Sequence, residues 1–262
     1  MNQTFDFHRF RLLLRLELAE KGKNYLLMGG LLVGLMLVMM LPIVLISNQH
    51  NEILMVLHAL ALFMVVMFGG SLYTSSVFNQ YGSPDTGIAS LMIPASQLEK
   101  FLISLLINLL FIIPVTIFFI KFHYWSISYA NEQPHSLTQK YAPIPADVLT
   151  YFIYLHMVIQ GSVFMGSIYF RTQAYIKTAG ILFLTSILAC IIYLVFAYYA
   201  TNKPSKLVAF PFGSWKVWYS EANQNYHLVH SDTALILIYA FPIFFLLSTW
   251  FISYVRLKEK EI

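Results

Sequence analysis

FLISLLINLLFIIPVTIFFI, from Phe101 to Ile120, decides how this chain is read, because it contains no Lys, Arg, Asp or Glu. At 1.5 Å rise per residue, about 20 residues of helix cover the ~30 Å hydrocarbon core of a bilayer. A helix apolar on every side has no face to offer water, so this stretch reads as a membrane-crossing element. Five further runs share its character: Tyr25 to Ser47, Ile53 to Val77, Val148 to Phe170, Thr178 to Tyr199 and Thr233 to Tyr254. The expected fold class is an all-α polytopic membrane protein with six transmembrane helices.

Composition points the same way. Hydrophobic residues make up 58% of the chain and charged residues 11%, against about a quarter charged in soluble domains. Six spans occupy over half of the 262 residues, which leaves no room for a separate soluble catalytic domain. The single cysteine, Cys190, falls inside the fifth run and reads as an apolar packing residue. No cleavable signal peptide is expected, since the first run follows a charged segment and is too long for a signal core.

Lys and Arg set the expected orientation. Arg9, Arg11, Arg15, Lys21, Lys23, Lys100, Arg171, Lys177, Arg256, Lys258 and Lys260 fall on one side of a six-span layout, against Lys121, Lys140, Lys203, Lys206 and Lys216 on the other. Positive-inside bias places both termini in the cytoplasm. The outer loops are then 121–147 and 200–232, rich in boundary aromatics such as Tyr124, Trp125, Trp215 and Trp218.

Residues 1–24 are expected to form an N-terminal amphipathic interfacial helix, ahead of a membrane domain over 25–262. At 100° per residue, Phe5, Leu12, Leu16 and Ala19 form one apolar stripe and Phe7, Phe10, Leu14 and Leu18 a nearly opposed one. A helix lying on lipid needs one apolar face. Two faces imply cover on both sides, the second supplied either by a partner protein or by this chain's own loops. In the connection 78–100, Ser83-Pro84-Asp85 reads as an N-cap, a proline in the first turn and a favourable acid, predicting a short helix from about Pro84 to Ile93. Ser96-Gln97-Leu98-Glu99 fits a capping box opening the third span.

These features together resemble the ABC-2-type permeases, the membrane subunits of ATP-binding-cassette exporters. The resemblance in layout covers nearly the whole chain. At motif level it rests on Phe78-Asn79-Gln80-Tyr81-Gly82-Ser83-Pro84 and on Leu91-Met92-Ile93-Pro94-Ala95-Ser96-Gln97-Leu98-Glu99-Lys100-Phe101-Leu102. It implies that the short helix after Ser83 is a cytoplasmic coupling helix between spans 2 and 3. It also implies a second permease subunit, identical or different, and a separate ATP-binding subunit in the inner membrane of a bacterium. The expected ATPase contacts are Ser83, Asp85, Thr86, Ile88, Leu91 and Met92, with Arg11 and Arg15 of the N-terminal helix. Unlike many members, this coupling segment is nearly uncharged. The chain also has no Walker A pattern, since Gly22-Lys23 lacks the upstream glycine and the following Ser or Thr. ATP and Mg²⁺ are therefore expected in the partner, and no catalytic residue, cofactor or metal in this chain.

The residues alone lead to a related expectation. Ion-coupled transporters need titratable groups inside the membrane, and here the spans offer only His58 and His156. Neither has a second histidine at ligand spacing on its own span, and both read as neutral, hydrogen-bonded residues. Work for transport must then arrive from the cytoplasm through a rigid handle such as the short helix. An amphipathic or hydrophobic substrate suits a path dotted only with hydroxyls; the resemblance places spans 2 and 5 near such a path, which makes Ser71, Thr74, Ser75, Thr178, Thr185 and Ser186 the candidates. The alternative for each is a bond to its own helix backbone. Two other readings stand beside the exporter: a non-transporting membrane anchor or regulatory subunit, and an intramembrane hydrolase using Ser71 after Gly69-Gly70, with His156 as base. Gly30 with Gly34, and Ser162 with Gly166, are candidate close helix contacts. His227 and His230 read as loop residues rather than ligands.

Overall fold

Helix α1 runs unbroken from Phe7 to Met40, so the N-terminal segment and the first span are one continuous rod. Asp6 caps it, accepting the His8 amide at 2.7 Å. It stops at Leu41 because Pro42 has no N–H to continue the ladder; Pro42 instead opens the short α2 (Pro42–Leu45). The computed structural model describes residues 4–46, 51–81, 87–88, 92–133, 140–209, 215–219, 224–228 and 231–260.

The second span is composite. It comprises α3 (Glu52–Ala61), a π-helical stretch (Leu62–Gly69) and α4 (Gly70–Ser75), followed by a 3₁₀ turn at Asn79–Tyr81. Wider π turns change the direction of every later side chain, and such stretches recur at functional sites. Helix α5 spans Gln97–Glu132, with the Ser96–Glu99 capping box formed as expected. At 36 residues it is about 54 Å long, well beyond a bilayer core. The aromatic segment expected to begin an outer loop at residue 121 is therefore helical as far as Glu132.

Helices α6 (Ala146–Tyr169), α7 (Ala174–Ala200) and α8 (Asp232–Lys260) complete the set. Among the described residues, six helices are long and apolar enough to cross a membrane, and α5 and α8 carry Pro114 and Pro242 without breaking. Helix α6 packs most extensively on α8, and also on α7 and α4, while α1 lies on α5 and α3. Small residues explain the closest contacts: a Cβ on Gly161 would meet Thr249 and Leu246 of α8, and one on Gly166 would overlap Thr178 of α7. A Cβ on Gly30 or Gly34 would meet nothing within 4 Å among the described residues.

The fold departs from all-α in the connection before α8. Strands β1 (Lys206–Ala209), β2 (Trp215–Tyr219) and β3 (Gln224–Leu228) form an antiparallel sheet in the order β1-β2-β3. Their Val, Trp and Tyr content favours extended backbone. The Trp215 indole N–H donates to Tyr193 of α7 at 3.0 Å, seating the sheet on that helix.

Candidate functional site

The start of α1 and the start of α5 meet at one buried carboxylate. Glu99, with no exposed surface, accepts the Ser96 amide on Oε2 at 2.8 Å, which closes the capping box. Its Oε1 accepts the Asp6 amide at 2.7 Å and the Arg9 guanidinium at 3.2 Å. Burying an ionised carboxylate is tolerable only with such a set of donors. Sequence reading gave Glu99 a local capping role alone, because its other donors lie about ninety residues away. The basic contact comes from Arg9, whereas Arg11 and Arg15 are exposed on the same helix.

About 18 Å further along α1, Lys21 donates to Glu17 at 2.6 Å and to Gln80 at 2.6 Å. Gln80 ends the second span and Ser96 precedes the third, so α1 is bonded to both flanks of the connection between them. Phe78, Tyr81 and Phe101 pack with Phe164, Ile168 and Leu257 into one buried aromatic and aliphatic cluster below these flanks. Of the coupling residues expected in that connection, Ser83, Asp85, Thr86 and Leu91 lie outside the described residues. Ile88 and Met92 are helical and expose large apolar side chains. The two α1 stripes separate only in part: Phe10 and Leu14 pack against Tyr73, Ile103 and Ile107, while Phe7 and Leu18 of the same stripe, and Leu12 and Leu16 of the other, stay exposed.

Between Lys21 and the body lies a crevice of about 540 Å³, walled by α1, the end of the second span and α5. Its floor is Tyr73, Ser104 and Ile107, and its mouth Glu17, Lys21, Asn24, Asn79 and Gln80. Tyr25 donates its hydroxyl to Glu17 at 2.9 Å and stacks edge-on to Tyr73, with ring centroids 5.8 Å apart.

Deeper in, a polar cluster links three helices. The Thr74 hydroxyl of α4 lies 2.5 Å from Gln160 Oε1, 2.9 Å from Asn108 Oδ1 and 3.1 Å from the Gly70 carbonyl, sharing one proton among them. Gln160 Nε2 donates to His156 Nε2 at 3.2 Å. Neutral His156 therefore carries its proton on Nδ1, which has no partner among the described residues. His156 also lines a small cavity of about 10 Å³ whose other walls are almost wholly apolar. Gly70 permits the approach, since a Cβ there would press on Gln160 Nε2 and His156 Cε1 at 3.3 and 3.6 Å. Asn108 and Gln160 escaped sequence reading because the spans were searched for charge, histidine and hydroxyls rather than amides.

The other candidate hydroxyls are distributed differently. Ser71, Ser75 and Thr178 are buried and donate to their own helices, at Met67, Leu72 and Ala174. Thr185 bonds Ile181 and Leu182 on exposed α7, where Ser186 is exposed too. Thus Ser71, Thr74 and Ser75 cluster on α4, Thr178 lies against Gly166, and the last two face away. Ser71 bonds Met67 and His156 bonds Gln160, so serine and histidine are not joined in a hydrogen bond.

At the opposite end His58 has a partner that the sequence had assigned to a loop. His58 Nδ1 and His123 Nδ1 lie 2.9 Å apart, and neither side chain has exposed surface. The tautomers follow from the outer contacts. The Met40 carbonyl can only accept, so His58 Nε2 donates to it across 3.2 Å. The Ile144 amide can only donate, so His123 Nε2 accepts it at 3.0 Å. His123 Nδ1–H then donates to His58 Nδ1, and two neutral rings join α1, α3, α5 and the segment before α6.

No family model, curated protein or solved structure matches this chain.

Proposed function

We propose that this chain is the permease subunit of an ABC-2-type exporter in a bacterial inner membrane, with both termini cytoplasmic. A separate ATP-binding subunit docks on the short coupling helix of the 78–100 connection and on the N-terminal part of α1, and supplies ATP, Mg²⁺ and the work. A second permease subunit completes the complex. The substrate is hydrophobic or amphipathic.

One observation carries the reading: α1 is bonded to both flanks of the connection between spans 2 and 3, through Lys21 to Gln80 and through the Asp6 amide and Arg9 to Glu99. A push on that connection would then be shared by the first three spans instead of bending one loop. The exposed Ile88, Met92, Leu12 and Leu16 supply apolar contacts for a docked protein. The uncharged hydroxyls and amides of the interior favour mechanical over ion coupling. The self-bonded hydroxyls of Ser71, Ser75 and Thr178 favour a second reading, a non-transporting anchor or regulatory subunit of a similar complex.

Deleting residues 83–93 tests the proposal. The expected result is a chain that still inserts in the membrane but no longer co-purifies with, or is driven by, a nucleotide-binding subunit. Transport by the isolated chain on a proton or sodium gradient alone would overturn it.

A further inference from the structure

The crevice under Lys21 has a polarity gradient built twice. On α1, Glu17, Lys21, Tyr25 and Met28 recur at helical spacing along one face, passing from charged to apolar over about 16 Å. The opposite wall repeats the order independently. Gln80 stands level with Lys21, to which it is hydrogen-bonded, and Tyr73 level with Tyr25, against which it stacks, while Ile107 of α5 lines the apolar floor. That is the gradient of a lipid at a membrane interface, and about 540 Å³ falls in the range of ligand cavities.

We propose that this crevice binds one phospholipid whose headgroup carries a phosphate and a primary ammonium, as in phosphatidylethanolamine. The acyl end lies along Met28, Tyr73 and Ile107. The mouth selects the headgroup. Lys21 has three N–H donors, of which Glu17 and Gln80 take two, leaving the third for a phosphate oxygen beside the exposed Asn24 amide. Glu17 receives both Lys21 and Tyr25 on the same oxygen, Oε1, which leaves Oε2 for an ammonium. A purely anionic headgroup would bring no cation to Glu17 Oε2. A choline headgroup has no N–H to donate to it.

The crevice is lined by this chain alone, so it is tested on the full-length chain without any ATP-binding subunit. The purified protein is exchanged in detergent against phosphatidylethanolamine, phosphatidylcholine or phosphatidylglycerol, and lipid retention is counted by native mass spectrometry. A photoreactive phosphatidylethanolamine maps the contact. One ethanolamine lipid should be retained about tenfold more strongly than the choline lipid, the scale of one charge-assisted hydrogen bond. Labelling should fall on the peptides holding Met28 and Tyr73. Glu17→Gln, at a partly exposed position, should erase the difference between ethanolamine and choline, and Ser104→Phe should fill the floor and remove the label. Equal retention of all three lipids, stronger retention of phosphatidylglycerol, or unchanged labelling in Ser104→Phe would each overturn the assignment.

Discussion

The two ends of the helical body are fastened by different chemistry. At the N-terminal end a buried carboxylate, Glu99, gathers two backbone amides and a guanidinium. At the far end two neutral imidazoles, His58 and His123, pass a chain of hydrogen bonds from the Ile144 amide to the Met40 carbonyl. Tyr141 reinforces that end by exchanging two bonds of 2.9 Å with Asn131 and accepting the Asn51 amide at 3.1 Å. The charged node depends on Arg9, whose side chain is 31% exposed, and so on the start of α1 staying docked. The neutral node is closed within the body. A charge that relies on a partly exposed partner can be loosened from outside, whereas a satisfied neutral chain cannot be reached by salt. The contrast fits a molecule worked from its N-terminal end against a fixed far end.

Breaking the charged node should have the largest effect. Glu99→Ala removes the common acceptor, stranding the Asp6 and Ser96 amides and taking the carboxylate from Arg9, which keeps the Thr4 carbonyl. We expect a loss of about 3 kcal/mol in stability, measured as thermal or steric-trap unfolding in detergent. Glu99→Gln keeps a neutral acceptor and should lose roughly 1 kcal/mol. Equal losses in the two variants would show that the charge is immaterial and that the node is only a cap.

The neutral node comes next. His123→Leu preserves bulk but strands His58 Nδ1 and the Ile144 amide, with an expected cost of about 2 kcal/mol. Replacing both rings, His58→Leu with His123→Leu, removes the donor and acceptor together and should cost less than the separate losses added up. An additive result would mean that the rings do not share a proton.

Much of this architecture was legible because its causes are local. The six apolar runs carry their own length signal, and Ser96 and Glu99 close a box three residues wide. What stayed hidden depends on distant partners. Nothing between Lys121 and Glu132 breaks α5, so it overruns the bilayer thickness; it stops at Glu132, two residues before Pro134, where Asn131 also exchanges hydrogen bonds with Tyr141. With the aromatics after residue 121 read as a boundary loop, His123 could not be paired with His58. The small sheet was missed for a related reason, since Trp215 and Trp218 serve equally well as interfacial aromatics and as strand formers. Asn108 and Gln160 sit singly in apolar runs, and only the packing of α4, α5 and α6 brings them to Thr74.

That cluster, between the two nodes, supplies the smallest and most informative change. Thr74→Val keeps the shape and the branched Cβ but deletes the hydroxyl that faces Gln160 and Asn108. Interhelical hydrogen bonds inside membrane proteins average well under 1 kcal/mol, because the alternatives also find partners. Here Gln160 keeps His156, and Asn108 can turn, so the expected loss is about 0.6 kcal/mol in the same unfolding assay. If the two ends alone hold the body together, Glu99→Ala and Thr74→Val should add, since the sites share no partner. A loss near 2 kcal/mol for Thr74→Val, or strong coupling to Glu99→Ala, would instead make the body one continuous polar network. The division between a worked end and a fixed end would then fail.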